Sequence, residues 1–243
     1  MKTQTKTFRF VGTLFYSLGV IVGFFLLCLI VWGDLEASLF SSGLDAEKSL
    51  SSLRCPIFLS PNETGVITAK FKNPTENDWE RYSRVFISEG FVTLMREIKK
   101  TIPIPAGTTE TVFWEVYPED AAYERIIFFR IYVNAKYPYP SLGGSCGIIM
   151  MDYWGLSGQQ IFISLIIFSI ACISFGILIW RLSFRKSDRD FYKHLNARYA
   201  LFFVLYLGIG IGYLGSWVIA LILLTIGLLM IGIIIGSKIS PMT

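Results

Sequence analysis

The chain has 243 residues, of which 53% are hydrophobic and only 16% are charged. Soluble domains carry about 25% charged residues, so this composition excludes a soluble globular domain, a disordered tail and a fibrous repeat. The net charge is +4, and its uneven distribution along the chain carries information about topology.

Four apolar segments predict membrane-spanning helices, at residues 10–32, 159–180, 199–214 and 217–236. The first segment holds no charge and is long enough to cross a hydrocarbon core of roughly 30 Å. The last two form one uncharged run, too long for a single span, which we divide at Gly215-Ser216. A cleaved signal peptide is the alternative for the first segment, but its apolar run exceeds 7–15 residues and no A-x-A site follows.

Charge asymmetry predicts the orientation. The N-terminus (1–9), the loop 181–198 and the C-terminus (237–243) together hold ten Lys and Arg against two Asp, whereas residues 34–160 hold twelve against sixteen Asp and Glu. Positively charged loops stay cytoplasmic. We therefore expect a multi-pass protein of the plasma membrane with both termini cytoplasmic and the middle segment outside. Tryptophan prefers the membrane interface, which agrees with its positions at the span ends: Trp32, Trp154, Trp180 and Trp217.

The outer segment predicts an all-β domain at residues 53–153, joined to the first span by a connector at 33–52. Short β-branched and aromatic runs between turn residues indicate about seven strands: Leu53–Leu59, Val66–Lys72, Arg84–Ser88, an edge strand at Ile102–Ile104, Thr111–Val116, Arg125–Val133 and Cys146–Met151. This spacing is typical of an immunoglobulin-like sandwich, here inserted between the first and second spans. The run Phe71-Lys72-Asn73-Pro74-Thr75, followed by Ile104-Pro105-Ala106-Gly107 and Trp114, resembles immunoglobulin-like modules. That resemblance covers this domain only and implies no activity.

Two features of the outer domain concern covalent modification. Cys55 and Cys146 are the two cysteines outside the spans, so we expect a disulfide between them, with two separate thiols as the alternative. Asn62-Glu63-Thr64 is a glycosylation sequon in a turn, usable in a host that glycosylates.

The sequence predicts neither enzymatic chemistry nor a bound cofactor or metal. The single histidine, His194, lies in the cytoplasmic loop, which excludes histidine-based catalysis from the outer domain. The densest acidic group, Glu76, Asp78 and Glu80, lacks the pattern of a calcium loop. The predicted spans contain no ionisable residue, which disfavours ion transport.

Small residues recur at four-residue spacing in the spans, a pattern that lets helix backbones approach closely. They are Gly19 and Gly23; Gly208 and Gly212, extended by Ser216; and Gly232 and Gly236. These faces pack either within the chain or against another protein's helices. The basic loop either anchors the topology or contacts anionic lipid headgroups, through Arg181, Arg185, Lys186, Arg189, Lys193 and Arg198.

These features predict a non-enzymatic accessory or assembly subunit of a larger membrane complex. It would interact through the β-sandwich and the small-residue helix faces, with membrane lipids and other membrane protein subunits as partners and no nucleic acid. Whether the β domain binds a small ligand stays open. The first alternative is a small homo-oligomeric channel or transporter. The second is an envelope enzyme that uses Glu115, Tyr117 and Tyr123.

Overall fold

The computed structural model describes residues 2–40, 43–137, 139–183 and 189–239, with side chains throughout except at 2–6, 92–93, 183, 189–194, 235 and 237–239. The chain forms two compact units. The helical unit comprises Met1–Leu29, Ile163–Gly212 and Val218–Thr243. The β unit comprises Ile30–Phe162 and Tyr213–Trp217.

Four long helices account for the apolar segments: α1 (Lys2–Leu39), α2 (Gly158–Ser183), α3 (Arg189–Tyr213) and α4 (Trp217–Ile239). Each contains a stretch long and apolar enough to cross a membrane. A tight turn joins α3 to α4, and in it Gly215 adopts a φ of 81°, a left-handed conformation that glycine accepts without steric cost. The turn between the two helices therefore lies at Gly215-Ser216, where the sequence predicts that the long uncharged run divides.

Two helices extend beyond the spans that the sequence predicts. α1 continues past Trp32 to Leu39 and so includes the first part of the predicted connector. Asp34, whose charge suggested the end of the span, is buried, and its carboxylate accepts the Gly147 N–H at 3.4 Å. α3 begins at Arg189, ahead of the predicted first span residue Tyr199.

The β unit contains eight strands among its described residues: β1 (Lys48–Ser49), β2 (Phe58–Leu59), β3 (Gly65–Lys72), β4 (Trp79–Glu89), β5 (Phe91–Ile104), β6 (Thr109–Val116), β7 (Ile126–Val133) and β8 (Leu142–Met150). The large sheet has the order β1-β8-β7-β4-β5, and β2 also pairs with β8. The small sheet is the antiparallel pair β3-β6. β1 and β2 run parallel to β8, whereas the other pairs of the large sheet are antiparallel.

Apolar side chains from both sheets form one core, as the alternation along β3 and β6 predicts. Trp114 of the small sheet contacts Phe129 of the large sheet, with ring centroids 5.9 Å apart. The other face of the large sheet is partly covered by the end of α1 and the segment after it, where Phe40 stacks on Phe128 at 5.5 Å. The β unit is therefore layered, with its main core between the two sheets.

β1 lies within the predicted connector and was not expected, and β5 is the long strand that the sequence predicts least completely. Only Ile102–Ile104 was expected to be extended, whereas the strand begins at Phe91. β5 is the edge strand of the large sheet, so its charged run Glu97-Ile98-Lys99-Lys100 reads as a loop although it pairs fully with β4. The edge position predicted for Pro103 is confirmed, since proline is tolerated where no further strand needs its N–H.

Candidate functional site

Close helix crossings occupy most of the predicted glycine faces. A Cβ added at Gly19 would lie 2.7 Å from the Ser169 carbonyl oxygen of α2, and one at Gly23 would lie 2.6 Å from Leu205 of α3. A Cβ at Gly208 would meet Leu27 of α1 at 3.0 Å. These glycines therefore pack within the chain, where a larger side chain would separate the helices.

One hydroxyl links three helices inside the helical unit. Ser169 is fully buried, and its Oγ donates to the Gly19 carbonyl at 2.7 Å. The same Oγ lies 2.6 Å from the Tyr206 hydroxyl of α3. The polar groups of α1, α2 and α3 thus satisfy one another at this crossing.

The position of Arg198 corrects its assignment as a lipid headgroup contact. It is only 3% exposed, and its guanidinium lies over the Trp180 ring at 3.3 Å and near the Tyr16 ring at 4.9 Å. The Tyr16 hydroxyl donates to the Arg198 carbonyl at 3.2 Å. Arg198 is therefore a buried packing residue and not an exposed headgroup contact. It also lies within the apolar stretch Leu195–Tyr213, which begins four residues before the predicted span.

The other predicted headgroup residues are only partly described. Arg181 is exposed, and its guanidinium lies 5.5 Å from the Tyr199 ring centroid. Arg189 and Lys193 belong to α3, with side chains outside the described set. Arg185 and Lys186 lie outside the described residues. Their contact with lipid stays a prediction.

α4 differs from the other helices in having an open small-residue face. Only 11% of its apolar stretch is buried, against 50% for α1, 33% for α2 and 39% for α3. A Cβ added at Gly232 or Gly236 would meet no atom of the described chain within 4 Å. Gly212 is buried, whereas Ser216 is exposed in the turn after α3, so Ser216 does not continue the α3 face.

Within the β unit, β8 is held by a disulfide on one face and by a close backbone contact on the other. Cys55 and Cys146 form the predicted disulfide, with Cα atoms 6.5 Å apart. It joins the segment before β2 to β8. On the other face of β8, Gly147 packs so closely on the Gly33 carbonyl of α1 that a Cβ there would overlap it.

The predicted sequon lies in an exposed turn. Asn62 is exposed, and the neighbouring Glu63 carboxylate accepts the N–H groups of Ser60 and Gly158, at 2.8 and 2.6 Å. Glu63 thus ties this turn to the start of α2. Glycosylation at Asn62 stays a prediction.

A groove of about 570 Å³ lies on the solvent face of the large sheet. Its charged wall consists of Arg84 and Lys99, whose partner is Glu97: Arg84 Nε approaches this carboxylate to 2.5 Å and Lys99 Nζ to 3.3 Å. The hydrogen bond from Arg84 lowers the Glu97 pKa below its ordinary value. The cations are thus already paired, which leaves little free charge for a ligand.

The tyrosines and acid of the enzyme alternative do not converge on a pocket that the structure describes. The Tyr117 hydroxyl donates to Glu115 Oε2 at 2.7 Å, and this bond raises the Tyr117 pKa. Tyr123 is 62% exposed. Among the described residues, no three His, Cys, Asp or Glu side chains are grouped as metal ligands.

Comparisons with known proteins identify no family. No protein-family model matches the chain, and no curated protein matches it. The solved structures that match include a Paenibacillus sp. cycloisomaltooligosaccharide glucanotransferase (15% identity, TM-score 0.33, 45% of this chain and 15% of that chain). They also include the CARDB domain of the PF1109 protein from Pyrococcus furiosus, solved with di-metal ions (10% identity, TM-score 0.31, 44% of this chain and 88% of that chain). The matched region spans well under two thirds of the glucanotransferase, and similarities at this level carry no argument about function.

Proposed function

We propose that this chain is a non-enzymatic accessory or assembly subunit of a complex in the plasma membrane. In this proposal the four helices cross the bilayer, the β unit lies outside and both termini are cytoplasmic. Net positive charge at the proposed cytoplasmic segments supports this orientation. The disulfide supports it as well, because such bonds persist in oxidising compartments outside the cytoplasm.

The composition of the β unit also supports the proposed topology. It includes the end of α1, the start of α2 and the turn between α3 and α4, which are the three connections that the proposal places outside. Arg54 of the β unit donates to the Leu214 carbonyl in that turn at 3.3 Å. A helical hairpin of opposite orientation would put this turn on the other side of the membrane.

Strand order supports an immunoglobulin-like assignment for the β unit. The neighbours β8, β7, β4 and β5 follow the arrangement of strands G, F, C and C′ in such domains, and the pair β3-β6 follows strands B and E. Immunoglobulin-like domains are widespread at cell surfaces, although the fold alone fixes no function. We place the domain as one of the two surfaces through which the subunit contacts its complex.

The observation that carries the proposal is the open face of α4. Ala220 is fully buried, and a Cβ at Gly227 would meet Phe24 of α1 at 2.7 Å, so the Ala220–Gly227 face packs on the bundle. Gly232 follows Gly227 by five residues, which places it about 140° around the helix at 3.6 residues per turn. Gly236 lies one turn further on the same side. A small-residue face directed away from its own bundle fits close packing against another protein's helix.

A site-specific photocrosslink tests this proposal in the host membrane. A photoreactive amino acid replaces Leu229, which is 64% exposed and lies about 180° from Ala220 on α4. The matched control replaces Phe203 of α3, which is 68% exposed. We expect a crosslink to one defined membrane protein from position 229 and none from position 203.

A second set of variants tests whether this crosslink depends on Gly232 and Gly236 of α4. Gly232→Leu with Gly236→Leu should abolish it, whereas Gly210→Leu should leave it intact, because Gly210 also has open space around its Cβ but lies on α3. Crosslinks to lipid alone from both positions would contradict the proposal. A crosslink between two copies of this chain would favour the alternative, a homo-oligomeric channel or transporter.

A further inference from the structure

Three exposed apolar side chains lie at one end of the β unit. Phe91 and Leu94, at the start of β5 in the β4–β5 hairpin, are each 53% exposed, and Tyr123, in the loop before β7, is 62% exposed. The Phe91 and Tyr123 rings meet edge to face at 5.8 Å. The Tyr123 N–H donates to the Gly90 carbonyl at 2.9 Å, which holds the two loops together. We call these three residues the hairpin tip.

The strand register places the hairpin tip at the same level as the end of β8, from which the chain continues to α2. Phe129 of β7 is opposite Ile87 on one side and Cys146 on the other. Counting three residues from Ile87 and from Cys146 reaches Gly90 and Ile149, so the hairpin turn lies at the level of the end of β8. The chain then passes through Tyr153 and Trp154, which are 53% and 89% exposed, before α2 begins.

Contacts of the end of α1 with β8 show which part of this helix lies at the level of the hairpin turn. Gly33 packs against Gly147, and Arg130, opposite Ser145 in the ladder, donates to the Ser38 carbonyl at 3.3 Å. α1 therefore runs alongside β8, antiparallel to it. Ile149 lies two residues beyond Gly147, about 7 Å further toward the N-terminal side of α1 at 3.4 Å per residue. At 1.5 Å per residue this is between four and five residues back from Gly33 along α1, about one helical turn beyond Trp32, the residue that the sequence places at the membrane interface.

We infer that the hairpin tip inserts into the outer leaflet of the bilayer, at the boundary between headgroups and acyl chains. This inference rests on the proposed membrane placement of the chain. Tyr123 suits this depth because its ring is apolar and its hydroxyl is polar. Phe91 and Leu94 are apolar side chains of the kind that interfacial segments bury toward the acyl chains. The exposed charges beside the tip are of both signs, Glu89, Glu124 and Arg125, which suits a zwitterionic headgroup layer. The β unit thereby contacts lipid at a second point, away from its flanking helices.

Fluorescence quenching on the full chain in phosphatidylcholine vesicles tests the inference. An environment-sensitive fluorophore is attached to Phe91→Cys, in a background with Cys28→Ala and Cys172→Ala and with the disulfide intact. The matched control is Tyr137→Cys, because Tyr137 is 98% exposed and follows β7 at the opposite end of the β unit. Leu228→Cys, on the exposed side of α4 at 53%, reports insertion of the helices.

We expect the label at 91 to emit at shorter wavelength than the label at 137, to be quenched by spin-labelled lipid and to be protected from iodide. Equal emission and equal iodide quenching at 91 and 137, with lipid quenching at 228, would overturn the inference and leave the membrane placement standing. Protection at 91 without lipid quenching would overturn it in favour of a protein contact. No lipid quenching at 228 would overturn the proposed membrane placement itself.

Discussion

Reduction of the Cys55–Cys146 disulfide should lower the stability of the β unit by several kcal/mol. The bond joins residues 91 positions apart, and the chain-entropy relation gives about 4.6 kcal/mol for a loop of that length at 25 °C. When the helices stay folded, they already hold the ends of the unfolded β unit together. The new loop then consists of two arms, Leu39–Cys55 and Cys146–Gly158, with sequence separations of 16 and 12 that sum to 28. For a loop of this length the same relation gives about 3.6 kcal/mol.

Hydrogen exchange on the full chain in detergent measures this difference. Peptides covering β7 report the free energy of opening of the β unit, and we compare oxidised with reduced protein. The control is Cys55→Ala with Cys146→Ala, in which added reductant should change nothing. A difference below about 1 kcal/mol between oxidised and reduced protein would refute the entropic reasoning.

Two substitutions with matched controls test packing inside the β unit. Gly147→Ala should destabilise it by about 1–3 kcal/mol, because the added methyl overlaps the Gly33 carbonyl. Gly33→Ala should cost less, because its methyl would lie 3.3 Å from the Gly147 carbonyl oxygen, a tight contact that a small shift relieves. Asn73→Ala should lower the free energy of unfolding by about 3 kcal/mol, because this fully buried amide donates to three carbonyls. The control Asn77→Ala should lower it little, because Asn77 accepts from Asn73 through its backbone carbonyl. Chemical unfolding measures both pairs, and equal effects within a pair would contradict the contacts described.

Long apolar runs and β-strand alternation made the main elements predictable from sequence. The uncharged run after Arg198 required two helices, and Gly215 located the break. The alternating run Thr68–Lys72 predicted a strand because one face meets the core and the other meets solvent. The disulfide was predictable because Cys55 and Cys146 are the two cysteines in the segment expected outside the cytoplasm, while the other two cysteines lie in apolar segments.

Elements that depend on tertiary partners were less predictable. Asp34 reads as the end of a span, but the Gly147 N–H offers its carboxylate a partner and α1 continues. Arg198 reads as part of a basic loop, yet the Trp180 and Tyr16 rings cover it. Such partners are distant in sequence, so composition cannot reveal them.

The packing partners of the glycine pairs were also not predictable from the sequence alone. The pair Gly19 and Gly23 has the same four-residue spacing as the pair Gly232 and Gly236. The sequence leaves open whether each pair packs inside the chain or against a partner. The helix arrangement separates them: the first pair faces α2 and α3, whereas a Cβ at either glycine of the second pair has no described atom within 4 Å. The sequence therefore predicted the small-residue pairs, and the three-dimensional arrangement of the helices was needed to show which pair packs inside the chain.

The native mass of the tagged chain, purified from its own host in mild detergent, tests the central claim most directly. The chain alone has a mass of 27.5 kDa. We predict a larger complex that contains a second membrane protein in fixed stoichiometry and that is lost in the Gly232→Leu, Gly236→Leu variant. A mass equal to one copy, or to a multiple of this chain alone, would contradict the assignment as a subunit of a larger complex.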